Sequence, residues 1–492
     1  MNDTIQSFEV TGGRVSGDML SVRREDRPLR VGLLACGYFE YWRMYGDLRQ
    51  QVENDMKKVA DRLLQKHDVV YPGLVDTLDS SEAAGRMFRD RQVDLLVIAE
   101  GTYCPDYLVH QALLPLPADI PLCLFASQCH DRLDFTVGYD QALRNSGPMG
   151  LVQLAAGFRK MGKYPRFEVV AGGIEDPDVH AEIDRFIRVR TTIENLRFWN
   201  IGLVGHVFRG MYDFQYDKTA VAGKFGPHVI DIDIRHLADI LDAISSEDTR
   251  VMGIRDRLRA ACEVDGVSDG AIQRAARLSL ALEELVRRYK LNGLALLGQH
   301  FIEQRANATC YLGATQLLTG DQALVVTEGD VLGLIVSKIL KDFTGRTPFF
   351  GEWEEIDKTL NAVLLLGHGF VDLREARTER KVRITPPCEQ WGFEDPSLGF
   401  EAMYAPGPVT ISHVIQDAKG WRMLISEGEI LGTPPLQIRE SAMVVGVNKE
   451  VRPYFKELIK CGFAHHAIAA PGHVADHLTV LAEQLEMEVC RL

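Results

Sequence analysis

From Leu29 onward the chain repeats one pattern, in which a short apolar run is followed by a segment of helix length and then by another apolar run. "LRVGLLACGYF" (29 to 39), "DVVYPG", "DLLVIAEG" and "IPLCLFAS" are such runs, and the stretch from Tyr45 to Lys66 between the first two has helical periodicity. Apolar runs too short for helices, alternating with amphipathic segments, predict βαβ units and a parallel sheet. A second series opens with "RFEVVAGG" and a helix-like segment over 176–199, then continues through "NIGLVGHVFRGMYDF", "HVIDIDI", "LALLGQ" and "ALVVTEG". From about 355 the texture changes. "NAVLLLGHG", "KVRITPPC", "GPVTISHVI", "WRMLISEGEI" and "SAMVVGV" are strand runs joined by Gly- and Pro-rich turns, which predicts a barrel or sandwich.

The expected fold class is α/β: two doubly wound, Rossmann-like domains followed by a β-rich, barrel-like C-terminal domain. A chain of 492 residues exceeds one hydrophobic core, and the expected division is an N-terminal segment 1–28, a first α/β domain 29–170, a second 171–354 and the β-rich domain 355–492. The chain closes with an amphipathic helix from Val474 to Glu486. The glycines of "GLVGHVFRG" lack the G-x-G-x-x-G spacing of a dinucleotide loop, so a strand-to-loop turn is the expectation there.

A net charge of -14 argues against a nucleic-acid partner, which needs a clustered surplus of Lys and Arg. No apolar run is long enough to span a bilayer or to serve as a signal peptide, so no membrane partner and a cytoplasmic location are expected. The nine cysteines show no C-x-x-C pair, a pattern that fits reduced, mostly buried thiols better than a disulfide framework or a zinc site.

Four residues stand at the ends of apolar runs beside glycine or another small residue: Glu328 in "VVTEGD", Glu352 in "FFGEW", His368 in "LLLGHG" and His466 in "CGFAHHAIAAPGH". In an α/β fold the C-terminal end of a strand is where ligands bind. Two carboxylates and two imidazoles form a mixed oxygen and nitrogen donor set suited to Mn²⁺, Co²⁺ or a similar divalent cation. Such an ion polarises a carbonyl and its neighbouring hydroxyl, while adjacent carboxylates move protons. Asp330 is expected to cap the helix that follows it.

Taken together, "VVTEGD…FFGEW…LLLGHG…AHH…GHVADHLTVLA" resembles the L-arabinose isomerase and L-fucose isomerase superfamily over most of the chain. "GLALLGQ", "VVTEGD", "RGMYDFQYDKTAVAGKFG" and the closing "GHVADHLTVLAEQLEMEVC" are similar to the fucose branch, whereas "LLLGHG" and "AHH" resemble the arabinose branch. The resemblance implies metal ligands at Glu328, Glu352 and His466, with His368 as the arabinose-type addition, and Mn²⁺ as the cofactor. Glu328 and Glu352 would be the catalytic pair, interconverting an aldose and its ketose through a cis-enediol on a pentose, a deoxyhexose or a related small sugar. It also implies sugar contacts at Gln299 and His465, with Trp42 and Gln128 brought from the first domain of a neighbouring subunit in a trimer or hexamer. His473 is expected in a supporting or capping role. A metal-dependent lyase or epimerase on a sugar acid, or a non-catalytic sugar-binding protein, are the alternatives.

Overall fold

The computed structural model describes residues 26–130, 132–133, 135–164, 166–297, 301–388 and 397–492. They form two compact units, 26–193 and 194–492. The architecture is mixed α/β, with parallel sheets and a closed β-barrel at the C-terminal end.

Unit 26–193 is built on β1 (Arg30–Cys36), β2 (Asp68–Val70), β3 (Leu74–Val75), β4 (Leu95–Glu100), β5 (Leu122–Gln128) and β6 (Glu168–Gly173). Their order is β2-β1-β4-β5-β6, with β3 also on β1, and every pairing is parallel. Strands β1, β4 and β5 are buried nearly end to end, which is why they read as unbroken apolar runs. The helix over Leu48–Leu64 fills the first predicted helical stretch. The next, Leu78–Asp90, starts in a capping box, where Thr77 accepts from the Ser80 amide.

Unit 194–492 begins with β7 (Asn200–Val204) and β8 (His228–Ile232). After β9 (Glu263–Val264) come β10 (Gly293–Leu296) and β11 (Leu324–Thr327). The parallel order β11-β10-β7-β8 makes one sheet, while β9 joins the next. The remaining strands are β12 (Phe349–Asp357), β13 (Ala362–Gly367), β14 (Arg383–Thr385), β15 (Gly399–Met403), β16 (Gly407–Asp417), β17 (Gly420–Ile430), β18 (Ser441–Val447), β19 (His466–Pro471) and β20 (Glu488–Arg491). The path β17-β16-β19-β12-β13-β18 returns to β17, so an antiparallel ring closes and leaves no free edge among those strands. The helix Val331–Thr344 leaves the end of β11 and packs against β16 and β19. Its residues Val331 to Leu340 are all buried, Ser337 and Lys338 included, so this part of the helix has no solvent face.

One expectation is corrected. Cys461 and Cys490 form a disulfide, and the remaining cysteines are free thiols. The pairing of β20 with β17 brings Cys490 back beside the end of the helix Val451–Cys461, a tertiary proximity that a sequence separation of 29 does not show. The closing helix spans Ala475–Gln484 and is followed by the short strand β20. Among the described residues, no helix is long and apolar enough to cross a membrane.

Candidate functional site

The junction after β11 is shaped by three consecutive residues. Glu328 has φ +61° and Gly329 has φ +76°, so the chain turns through two left-handed positions before the helix begins. For glutamate this conformation costs about 1 kcal/mol or more. It directs the Glu328 carbonyl to the amide of Phe208, which donates to it at 2.9 Å from the loop after β7. That loop crosses so closely that a Cβ on Gly329 would lie 2.8 Å from both the His206 carbonyl oxygen and Val207 Cα. Asp330 then caps the helix, accepting from the Gly333 amide at 2.8 Å.

Strands β12 and β19 bring the second carboxylate and the imidazoles to the same place. Glu352 lies directly opposite His466 in the antiparallel register. On its other side, Gly351 faces Gly367, where a Cβ on Gly351 would lie 2.5 Å from the Leu366 carbonyl oxygen. A register shift between Trp353 and Glu355 follows at once, of the kind that re-aims side chains near functional sites. Glu328, Glu352, His465 and His466 each present one ligand atom within 4.8 Å of the others. His466 Nε2 lies 3.3 Å from Glu328 Oε2, His465 Nε2 lies 3.6 Å from Glu352 Oε1, and His368 Nε2 lies 3.2 Å from the same oxygen.

Of the other expected residues, Gln299 lies outside the described residues. Trp42 and Gln128 belong to unit 26–193, where the Trp42 indole donates to Asp76 Oδ2 at 3.0 Å and Gln128 ends β5. His473 Nε2 is 3.1 Å from the Gly428 carbonyl oxygen and is not a member of the cluster.

Asp213 and Phe214 in "RGMYDFQYDKTAVAGKFG", Phe350 in "FFGEW" and His413 in "GPVTISHVI" lie inside motifs read above without being expected as site residues, and Asp330 has a second role beside its cap. Asp213, in the loop after β7, accepts from both the backbone amide and Nδ1 of His465, at 3.0 and 2.6 Å. Phe214 stacks on the His466 ring at 4.7 Å, with Phe350 at 4.6 Å from the same ring. His413 of β16 has Nε2 3.0 Å from Asp330 Oδ2, while His466 Nδ1 lies 2.8 Å from that oxygen. A Tyr-Asp pair in a loop or a histidine within a strand run is too common to mark such roles; only the phase of their strands and loops would.

The electrostatics follow from these contacts. The His368 and His465 imidazoles beside it hold the Glu352 carboxyl well below the usual range, against the opposing effect of burial. The His465 imidazole is pushed up to about 10 by Asp213 and Glu352. Burial works to raise Asp213, but its bonds from His465 win and take it down to about 2. Burial likewise disfavours a charged His466, yet Asp330 and Glu328 raise it.

The donor set suits a divalent cation. Glu328 Oε2, His368 Nε2 and His466 Nε2 are buried and have no hydrogen-bond partner, although unpaired polar atoms are costly inside a protein. A cation beside Glu328 Oε2 and His466 Nε2, which lie 3.3 Å apart, would satisfy both, and the mixture of carboxylate and imidazole fits Mn²⁺ or a similar ion. His465 Nδ1 is already engaged by Asp213, which leaves its Nε2 as the atom facing the cluster.

No protein-family model matches the chain. It is 22% identical over 342 residues to a sulfoquinovose isomerase of Alkalicoccus urumqiensis, covering 66% of this chain and 72% of that protein. It is also 22% identical over 483 residues to the L-arabinose isomerase of Thermotoga maritima, 92% of this chain and 93% of that one. The L-arabinose isomerase of Thermotoga neapolitana matches at 24% over 360 residues, 69% of this chain and 70% of its own. Identity is low but the matches span most of the chain, and together they support an L-arabinose isomerase-like family of sugar isomerases.

Proposed function

We propose that the chain is a metal-dependent aldose–ketose isomerase acting on a pentose, a deoxyhexose or a related small sugar. The observation that carries this reading is the gathering of Glu328, Glu352, His465 and His466, whose ligand atoms lie within 4.8 Å of one another, with Glu328 Oε2 and His466 Nε2 buried without hydrogen-bond partners. The relatives' names support the reaction class.

Glu328, Glu352, His368 and His466 would hold the cation, Mn²⁺ in our reading. When bound, it polarises the sugar carbonyl and the adjacent hydroxyl. The chain's own groups move the protons. One of the two glutamates takes the proton from C2 as that C–H bond breaks, and O1 gains a proton to give the cis-enediol. The O2 hydroxyl proton then leaves while C1 receives a proton, so the aldose has become the ketose with no net gain or loss of atoms. His368 and His465 hold Glu352 ionised, and the same contacts lower its basicity. Glu328 is 5% exposed, and the Phe214 and Phe350 rings beside His466 screen that side from water.

In the same reading Gln299, His465, Trp42 and Gln128 contact the sugar, and the enzyme is a closed homo-oligomer, a trimer or hexamer. Both parallel sheets are doubly wound, and the cytoplasm is the compartment in this reading, as the absence of a long apolar helix among the described residues allows.

The test is ketose formation from a panel of pentoses, deoxyhexoses, tetroses, sulfonated hexoses and sugar acids with added Mn²⁺, alongside metal analysis of the reconstituted protein. We expect about one ion per subunit, and loss of turnover on chelation without unfolding. Activity that survives exhaustive chelation in a protein with no bound ion would show that the site is misread. Turnover of sugar acids alone would move the reaction to elimination or epimerisation.

A further inference from the structure

We propose that Asp330 and His413 are positioning residues that set the orientation and tautomer of His466, and so determine whether that imidazole can bind a cation. The inference rests on the metal-site reading above. It begins with the capping position of the helix Val331–Thr344. An N-cap carboxylate needs only one oxygen for its cap, and Asp330 uses Oδ1 to accept from the Gly333 amide. Oδ2 is left pointing into the protein, and Gly333 gives it room, since a Cβ there would lie 2.3 Å from it.

Because this helix packs on β16 and β19, Oδ2 meets one histidine from each strand. His466 Nδ1 donates to it at 2.8 Å and His413 Nε2 donates at 3.0 Å. Both rings and the carboxylate are 0% exposed, so water cannot replace any of these bonds. His413 is anchored at its other nitrogen too, with Nδ1 2.9 Å from the Val414 carbonyl oxygen. A ring held at both nitrogens fixes the rotation of the carboxylate, and the carboxylate fixes His466.

The consequence for binding is specific. A proton committed to Nδ1 by Asp330 makes Nε2 the nitrogen that can offer a lone pair, and Nε2 is the atom 3.3 Å from Glu328 Oε2 with no hydrogen-bond partner. Carboxylates behind ligating histidines act in this way generally, and their loss typically costs about 10–100-fold in metal affinity.

Asp330→Asn is the informative variant. Asparagine is as good an N-cap as aspartate, so the helix start survives, but its amide N–H₂ group would donate to His466 Nδ1 and move the ring proton to Nε2. Mn²⁺ affinity by isothermal titration should fall about 10–100-fold. His413→Leu should weaken binding in the same direction, while His413→Gln, which keeps an N–H donor near the same place, should restore most of it. Neutron diffraction from metal-free crystals gives a readout independent of activity and of any variant folding: the wild-type His466 ring should carry a deuteron on Nδ1 aimed at Asp330. A bare Nδ1 in the wild type, or wild-type Mn²⁺ affinity in folded Asp330→Asn, overturns the proposal. A wild-type protein that binds no Mn²⁺ at all defeats the metal-site reading instead, and the position of the deuteron then decides the tautomer on its own.

Discussion

Each residue of the "EGD" stretch after β11 does separate physical work. Glu328 adopts a left-handed conformation that turns its carbonyl toward the crossing loop, Gly329 leaves space for that loop, and Asp330 both caps the helix and meets two histidines. The two glutamates differ in surroundings: Glu328 is buried against His466, while Glu352 is partly exposed between His368 and His465. Replacing either with glutamine preserves shape and removes a proton acceptor. Glu328→Gln and Glu352→Gln should therefore each lose at least ~10²-fold in kcat at saturating Mn²⁺, within the usual range for acid/base groups. Near-normal turnover of both would contradict the enediol assignment. The ends of apolar runs made Glu328, Glu352, His368 and His466 visible in the sequence. His413 was not visible, because a histidine within the buried run of β16 looks like any other strand residue until its neighbours are known.

Among the elements, the helix Val331–Thr344 does the most to organise the site, since its start places Asp330 between strands that are distant in sequence. Val331 to Leu340 are buried throughout because β16 and β19 of the barrel pack against this helix. In unit 26–193 the helix Pro177–Leu196 is pinned near the start of β2, with Asp184 accepting from Lys66 at 2.5 Å and lying 2.8 Å from His67 Nε2. Burial raises the Asp184 carboxyl, but the bonds from His67 and Lys66 outweigh it and hold the group below its ordinary value. A carboxylate depressed on folding stabilises above its unfolded pKa, and that contribution is lost as pH falls through the lowered value. Asp184→Asn should accordingly flatten the acid limb of the midpoint-versus-pH curve while changing neutral stability by no more than about 1 kcal/mol, since Lys66 is well exposed. Thermal melts of the two proteins from neutral pH downward check this; parallel curves would show that the contact carries no linked stability.

At the scale of the whole molecule, the clustered residues all belong to unit 194–492. Unit 26–193 carries Trp42 and Gln128, together with exposed Met44, Tyr107, Phe135, Tyr139, Met149 and Val152. Closed symmetry is the usual form for soluble homo-oligomers, and a neighbouring subunit is what would bring Trp42 and Gln128 to the site in the proposed reading. Light scattering should therefore give a closed oligomer. Mixing inactive Gln128→Ala with inactive Glu328→Gln under conditions of subunit exchange should restore part of the activity, as shared pockets require. A fully active monomer, or no recovery despite demonstrated exchange, would sink the shared-pocket arrangement.

What the sequence determined by itself was the succession of layers: parallel βα repeats, then a β-rich closing region, with carboxylates and imidazoles at strand ends. Those features are local, written in periodicity and in glycine placement, and are readable without knowing which strands meet. The barrel's closure through β17 and β18, the disulfide between Cys461 and Cys490, and the joining of Asp213 to His465 and of His413 to Asp330 were decided only by the tertiary structure. Each depends on which segments pack together across long separations in the chain, and burial in that packing, more than residue type, turns a common aspartate or histidine into a partner of the site.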